Sequence, residues 1–338
     1  MLHLLILVSN LVLATAVALL LVCVRPACGS DAGSTASLSE RLSLPMSEWH
    51  AAPGAGRQGV YLIAIHGMSL HGHVYNRLGE TLRAQGITVI APDLRGYGGW
   101  SSEIDYKQSL SDLTRITDEI KRRSPDAAVY VLGESLGASM AVQLAAQRPD
   151  SIDGLILSAP GVKLHHCISL NMVPGVMHML VAQKHQLDIA PYLRKHISND
   201  EEIISEHLGD QTVRTRFSIK AILSTCKVVR QTLKVAPQVP GHVPVLILQG
   251  GQDKMLKPAG AQLLRISFAR HDADLVCLPA AGHILLETAK PNVAAMSAVD
   301  AWLSKQITRR SFVASALRLP ENAGSAIQSG TGLSNGDL

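Results

Sequence analysis

Six short apolar runs recur along the chain, at 60–65, 87–91, 128–132, 152–158, 243–249 and 273–278. They are continuous rather than alternating, which is the pattern of strands buried on both faces of a parallel sheet. Between them apolar positions fall at helical spacing, over 74–84, 106–123, 135–147 and 293–304. That alternation predicts a doubly wound α/β fold with a mostly parallel central sheet. Between Ser158 and Val243 it stops, and the residues there have helical rather than strand character. A structureless loop of such length would be exceptional, so a mostly helical cap is expected over the strand ends.

The flanks read differently. Residues 2–24 are almost unbroken apolar sequence, interrupted by His3, Ser9, Asn10 and Thr15, and are long enough to span a bilayer. The segment also has the look of an export signal, although no lysine or arginine precedes it and Arg25 lies behind it. Residues 1–27 are therefore expected to be a signal peptide or membrane anchor, with the protein membrane-anchored or exported to the cell envelope or beyond. Cys28 follows Pro26 and Ala27 as in a lipoprotein cleavage site, except that Arg25 stands where an aliphatic residue is wanted. The expected organisation is a linker at 28–43, a core at 44–158, the cap at 159–242, a second core part at 243–308 and a tail at 309–338. From Pro320 onward the tail is rich in Ser, Gly, Asn and Ala, the composition of a disordered segment.

Composition removes several classes of function. The net charge is only +4 over 338 residues, and the basic runs are short, so nucleic acid is not an expected partner, while a membrane surface is compatible. Beyond the leader only Cys167, Cys226 and Cys277 remain, and they give neither a metal spacing nor a disulfide framework. No metal or other cofactor is expected. The glycine-rich loop at 95–101 lacks the lysine and spacing of a nucleotide-binding loop. No internal repeat is present, and oligomeric state is not legible.

The chemistry centres on Gly133-Glu134-Ser135-Leu136-Gly137, set between an apolar run and a helical one. A serine on a sharp strand-to-helix turn presents its hydroxyl clear of the backbone, and the helix behind it aims N–H groups at the same place. Acyl transfer needs two donors for a developing oxyanion: the N–H of Leu136, and one from the loop after the 60–65 run, most simply that of Met68. His66 in that loop is expected to hold backbone rather than react. Asp253 and His283 each stand in a loop just after a strand-like run, where open parallel sheets place their chemistry, and the order Ser, Asp, His suits the architecture. Asp272 and Asp274 also precede His283, but lie in or beside a run rather than after one.

Four segments carry a family resemblance: His66-Gly67-Met68-Ser69-Leu70-His71-Gly72-His73-Val74-Tyr75, Asp93-Leu94-Arg95-Gly96-Tyr97-Gly98-Gly99-Trp100-Ser101, the Ser135 pentapeptide, and the Asp253 and His283 loops. Over about residues 44–305 the chain resembles the α/β-hydrolase superfamily, in particular its monoacylglycerol lipase and lysophospholipase (serine aminopeptidase S33-like) branch. The resemblance implies an α/β-hydrolase fold with the cap inserted after the sixth strand. It makes Ser135 the nucleophile, His283 the base, Asp253 its orienting carboxylate, and Met68 and Leu136 the oxyanion donors. It further implies a serine hydrolase that cleaves carboxylic esters of lipid-like substrates through an acyl-enzyme. There are departures: Ser69-Leu70-His71 replaces the usual Gly-Glu-His, Val74 replaces a common arginine, and the usual pair of strands before Val60 is compressed into residues 44–51. In the cap the stretch containing Met172, Met177 and Met179 is methionine-rich, and flexible unbranched side chains suit acyl chains of varied length. The competing readings are a short-chain carboxylesterase or peptidase on the same triad, and a non-catalytic binding protein.

Overall fold

The structure, a computed structural model, describes residues 36–165, 186–268 and 273–317. The chain divides into two units between Ser37 and Leu38, and every element below belongs to the second. In chain order these are α1 (Leu38–Leu42), β1 (Met46–Trp49), β2 (Val60–Ile65), α2 (Asn76–Ala84), β3 (Ile87–Pro92), α3 (Tyr106–Arg123), β4 (Ala128–Glu134), α4 (Leu136–Gln147) and β5 (Gly154–Ser158). The cap contributes β6 (Gln186–Asp188), α5 (Ala190–His196), α6 (Glu201–Gly209), β7 (Arg216–Ser218) and α7 (Ile219–Val235). The core then resumes with β8 (Val245–Gly250), α8 (Pro258–Ser267), β9 (Ala273–Leu278) and α9 (Val293–Leu317).

Seven strands form one sheet in the order β1-β3-β2-β4-β5-β8-β9, parallel throughout except for β1 at the edge. The register pairs Ile65 with Gly133 and Glu134 with Ser158, so β2, β4 and β5 end together beside the serine turn. Alternation of side chains along each strand builds two cores. Ile63, Ile65, Val129, Val131, Leu155 and Leu157 face α3 and α4, while Leu62, Ala64, Tyr130, Leu132 and Ile156 face α2 and α9. Both faces are covered, which is why the strands read as unbroken apolar runs. Helix α4 is buried along nearly its whole length and is correspondingly apolar on all sides, whereas α3 carries a polar face and an Asp105 cap that accepts the Gln108 N–H at 2.9 Å.

Two details differ from expectation and one adds to it. Where a compressed pair of strands was expected before Val60, only β1 forms, so the cap follows the fifth strand of the chain. The cap is not wholly helical, because β6 and β7 pair antiparallel with Leu187 opposite Phe217, and the Phe217 ring is fully buried. Three-residue strands have no room to display a period, so hydrophobicity could not reveal them. Finally, α9 runs on to Leu317, past the boundary expected at 308. The cap meets the core through backbone and side chain alike: Arg214 donates its N–H to Ser69 O at 2.8 Å and its guanidinium to Gly96 O at 2.7 Å.

Candidate active site

Four strand ends supply the site. At the end of β4 the chain turns into α4 through Ser135, whose φ of 57° and ψ of −112° lie in a region that side chains rarely adopt. Such a conformation costs on the order of 1–3 kcal/mol and persists only if its surroundings impose it. Here they do: Ser135 N donates to Ser158 O at 2.9 Å, and Ser135 O accepts from Gly161 N at 3.1 Å. The turn also needs its glycines. A Cβ at Gly137 would lie 1.9 Å from Ile65 O, and one at Gly133 would lie 2.2 Å from Gly137 O.

The structure brings the three predicted residues together. His283 Nε2 lies 3.1 Å from Ser135 Oγ, and His283 Nδ1 lies 2.9 Å from Asp253 Oδ2. Asp253 is held in turn, with Oδ1 accepting the Met255 and Leu256 N–H groups at 2.8 Å each and Oδ2 accepting the Gln249 amide at 3.2 Å. A carboxylate only accepts, so Nδ1 carries the proton and Nε2 offers its lone pair to the serine hydroxyl. Burial opposes charge on both partners, yet their mutual attraction and hydrogen bond prevail. Asp253 sits below the usual carboxylate range, helped by the two N–H donors, and His283 sits above the usual imidazole range, helped also by the charge of Glu134. Asp274 lies elsewhere, on β9 and 3.9 Å from Lys305 Nζ, and Asp272 falls outside the described residues.

Met68 and Leu136 flank the serine from two elements. Leu136 is the first residue of α4, whose opening N–H groups have no intrahelical acceptor. Met68 lies one residue past Gly67, and a Cβ on Gly67 would come within 3.5 Å of Ser135 Cβ. His66 is fully buried and braces this loop: Nε2 accepts the Leu94 N–H at 3.0 Å, which leaves Nδ1 to donate to Gly67 O at 2.7 Å. Burial takes it down to about 4, so it stays neutral. Met172, Met177 and Met179, expected to contact substrate, lie outside the described residues.

Two buried carboxyls were not anticipated. Glu134 accepts the Leu285 and Leu286 N–H groups at 2.8 and 3.0 Å and the Ser158 hydroxyl at 2.7 Å, while Glu287 accepts the Gly67 N–H at 2.6 Å. The only available signal was a charged residue at the end of an apolar run, beside the pentapeptide serine. Beside Asp253 opens a cavity of about 440 Å³ whose lining includes Lys195, His196 and Lys254. Among the described residues no group of three or more His, Cys, Asp or Glu side chains is arranged to hold a metal.

Known proteins resemble this chain in sequence and in fold. Mouse monoglyceride lipase is 23% identical over 273 residues, covering 75% of this chain and 85% of the relative. The monoacylglycerol lipase of Mycolicibacterium smegmatis is 24% identical over 237 residues, covering 68% of this chain and 83% of the relative. The crystal structure of Paleococcus ferrophilus monoacylglycerol lipase superimposes with a TM-score of 0.65 at 21% identity, covering 78% of this chain and 99% of that one, and has the same α/β-hydrolase fold. The profile of the serine aminopeptidase S33 family matches residues 58–289, and the chain belongs to that family.

Proposed function

We propose that the protein is a serine hydrolase that cleaves carboxylic esters of lipid-like alcohols, of monoacylglycerol or lysophospholipid type. The carrying observation is the unbroken chain from Ser135 Oγ through the His283 imidazole to a buried Asp253, seated on a strained turn at a helix N-terminus. The relatives support the ester chemistry, since they include monoglyceride lipases and, at 27% identity over 212 residues, a phospholipase of Bacillus subtilis.

The reaction follows from the hydrogen-bond directions. Ser135 Oγ bonds to the ester carbonyl carbon as its proton passes to His283 Nε2, and the carbonyl π pair moves onto oxygen. That oxygen takes the N–H groups of Met68 and Leu136, and the imidazolium is stabilised by Asp253. Collapse breaks the bond to the alcohol oxygen, which leaves with the proton from Nε2. Water then attacks the acyl-enzyme, giving its proton to Nε2, and the carboxylic acid departs as Ser135 regains its hydrogen.

A fluorophosphonate probe tests the reading, with expected covalent labelling of the parent protein and none of Ser135→Ala. Equal labelling of the two would remove Ser135 from the role. Ester and aminoacyl-amide substrates compared on the parent separate the lipase reading from a peptidase.

A further inference from the structure

Glu287 lies four residues beyond His283 and is fully buried, yet its reach is toward a different part of the site. Its Oε1 accepts the Gly67 N–H at 2.6 Å, bridging a separation of 220 residues, while Oε2 has no partner among the described residues. The next peptide along, Gly67–Met68, has its carbonyl fixed by His66 Nδ1 at 2.7 Å. In a trans peptide C=O and N–H point in opposite directions, so fixing that carbonyl aims the Met68 N–H. Two successive peptide planes are thus pinned, one by Glu287 and one by His66. The glycine between them has no side chain to restrain it, so without these two bonds the loop could swivel there.

We propose that Glu287 is a positioning residue for the oxyanion loop, fixing the Gly67 N–H so that the Met68 N–H faces the reacting carbonyl. The inference rests on the ester-hydrolase reading above. The ends of the connection are themselves rigid. Glu134, directly before the nucleophile, clamps Leu285 and Leu286, which lie between His283 and Glu287. One short segment thereby ties the nucleophile turn, the base and the oxyanion loop together. Glu134 and Glu287 are both fully buried, Glu134 accepts from Leu285, Leu286 and Ser158, and Glu287 has only the Gly67 N–H and the neighbouring Tyr75 hydroxyl. Burial and the Glu134 charge push Glu287 well above the usual carboxyl range, so it holds the proton of the pair. Its function toward Gly67 is then that of a neutral carbonyl, which a glutamine amide can reproduce.

Three variants test this on a short-chain p-nitrophenyl ester, with thermal unfolding recorded for each. Glu287→Met keeps bulk but has no acceptor; its kcat should fall roughly 10- to 100-fold with KM within about threefold, since misaiming one oxyanion donor approaches the loss of that donor. Glu287→Gln should keep kcat within about threefold of the parent. If Glu287→Met does not fold, Glu287→Asp replaces it, because the shortened side chain draws the acceptor back from Gly67 and should show the same kcat-selective loss. A folded Glu287→Met or Glu287→Asp with parental kcat overturns the proposal, as does a Glu287→Gln as impaired as Glu287→Met. A parent protein that neither hydrolyses esters nor takes the phosphonate probe instead overturns the functional reading on which it rests.

Discussion

At the scale of single residues the site is an arrangement of opposed desolvation and pairing. His283 and Asp253 are 3% and 4% exposed, so neither would readily carry charge alone. Together they do, and the imidazole is held above its ordinary value of about 6.5. The sign is decisive for activity. A base must be neutral, so turnover should fall as pH drops through a midpoint above about 6.5, and a parent midpoint well below that value would contradict the assignment. Asp253→Asn removes the larger of the two charges that raise His283, leaving Glu134 alone against the burial that lowers it. In that variant the acid limb should move to lower pH while kcat drops on the order of 10⁴-fold, as triads generally behave. Turnover of the variant near the parent's would take the carboxylate out of the mechanism. The three side chains that the structure joins by hydrogen bonds were picked out by order and placement, because Ser135, Asp253 and His283 each follow an apolar run. The residues that brace them were not. Glu134 and Glu287 act on backbone groups 151 and 220 positions away, and no local pattern encodes a partner so remote.

At the scale of elements the serine turn depends on how closely β2, β4 and α4 pack. Gly137, in the first turn of α4, leaves no space against Ile65, the last residue of β2, and that strand leads directly into the oxyanion loop. A Cβ there would meet backbone atoms at 1.9 and 2.7 Å, which no side-chain rotation relieves. Gly137→Ala should therefore destabilise by at least the roughly 1–3 kcal/mol of ordinary overpacking and abolish turnover by moving α4 against β2. Gly209→Ala is the control, since a Cβ there meets nothing within 4 Å. Thermal unfolding and turnover of both variants decide the matter, and a Gly137→Ala protein with parental melting temperature and rate would refute the packing argument. These elements were also the ones most legible in the chain. Strands β2 and β9 and helix α3 span the residues expected, because a doubly covered sheet makes its strands uniformly apolar and an amphipathic helix shows its period over many turns. Strands β6 and β7 escaped because three residues show no period, and the pair expected within 44–51 proved to be β1 alone because an edge strand of four, three of them only partly buried, carries too weak a pattern to set the count.

At the scale of the whole molecule, the topology places Met68, Ser135, Asp253 and His283 in loops after β2, β4, β8 and β9, all at the carboxyl edge of one sheet. The cap is fastened over this edge from one side by Arg214 on Ser69 and Gly96, and by Asp210, whose carboxylate lies 2.9 Å from His71 Nε2. His71 belongs to the tripeptide that departs from the family pattern, and in this chain it contacts the cap. Among the described residues no helix is long and apolar enough to cross a membrane, and the proposed anchoring or export rests on residues 2–24. Fractionation of cells expressing the full chain and a form lacking residues 1–27 should put the first with membranes or outside the cell and the second in the cytosol; identical fractions would end that proposal. The substrate proposal has a sharper test, because acyl length acts through transfer free energy. Each buried methylene contributes about 0.8 kcal/mol, so going from an acetyl to a decanoyl ester adds about 6 kcal/mol if every added carbon is covered. Covering half of them still gives about 3 kcal/mol, roughly a hundredfold in kcat/KM. If Met177 and Met179 supply part of that surface, changing both to glutamine should flatten the slope while sparing acetate hydrolysis, since Ser135, His283 and Asp253 are untouched. A peptidase would show no such slope, and equal efficiencies of the parent on acetyl and decanoyl esters would leave a serine hydrolase without a lipid substrate.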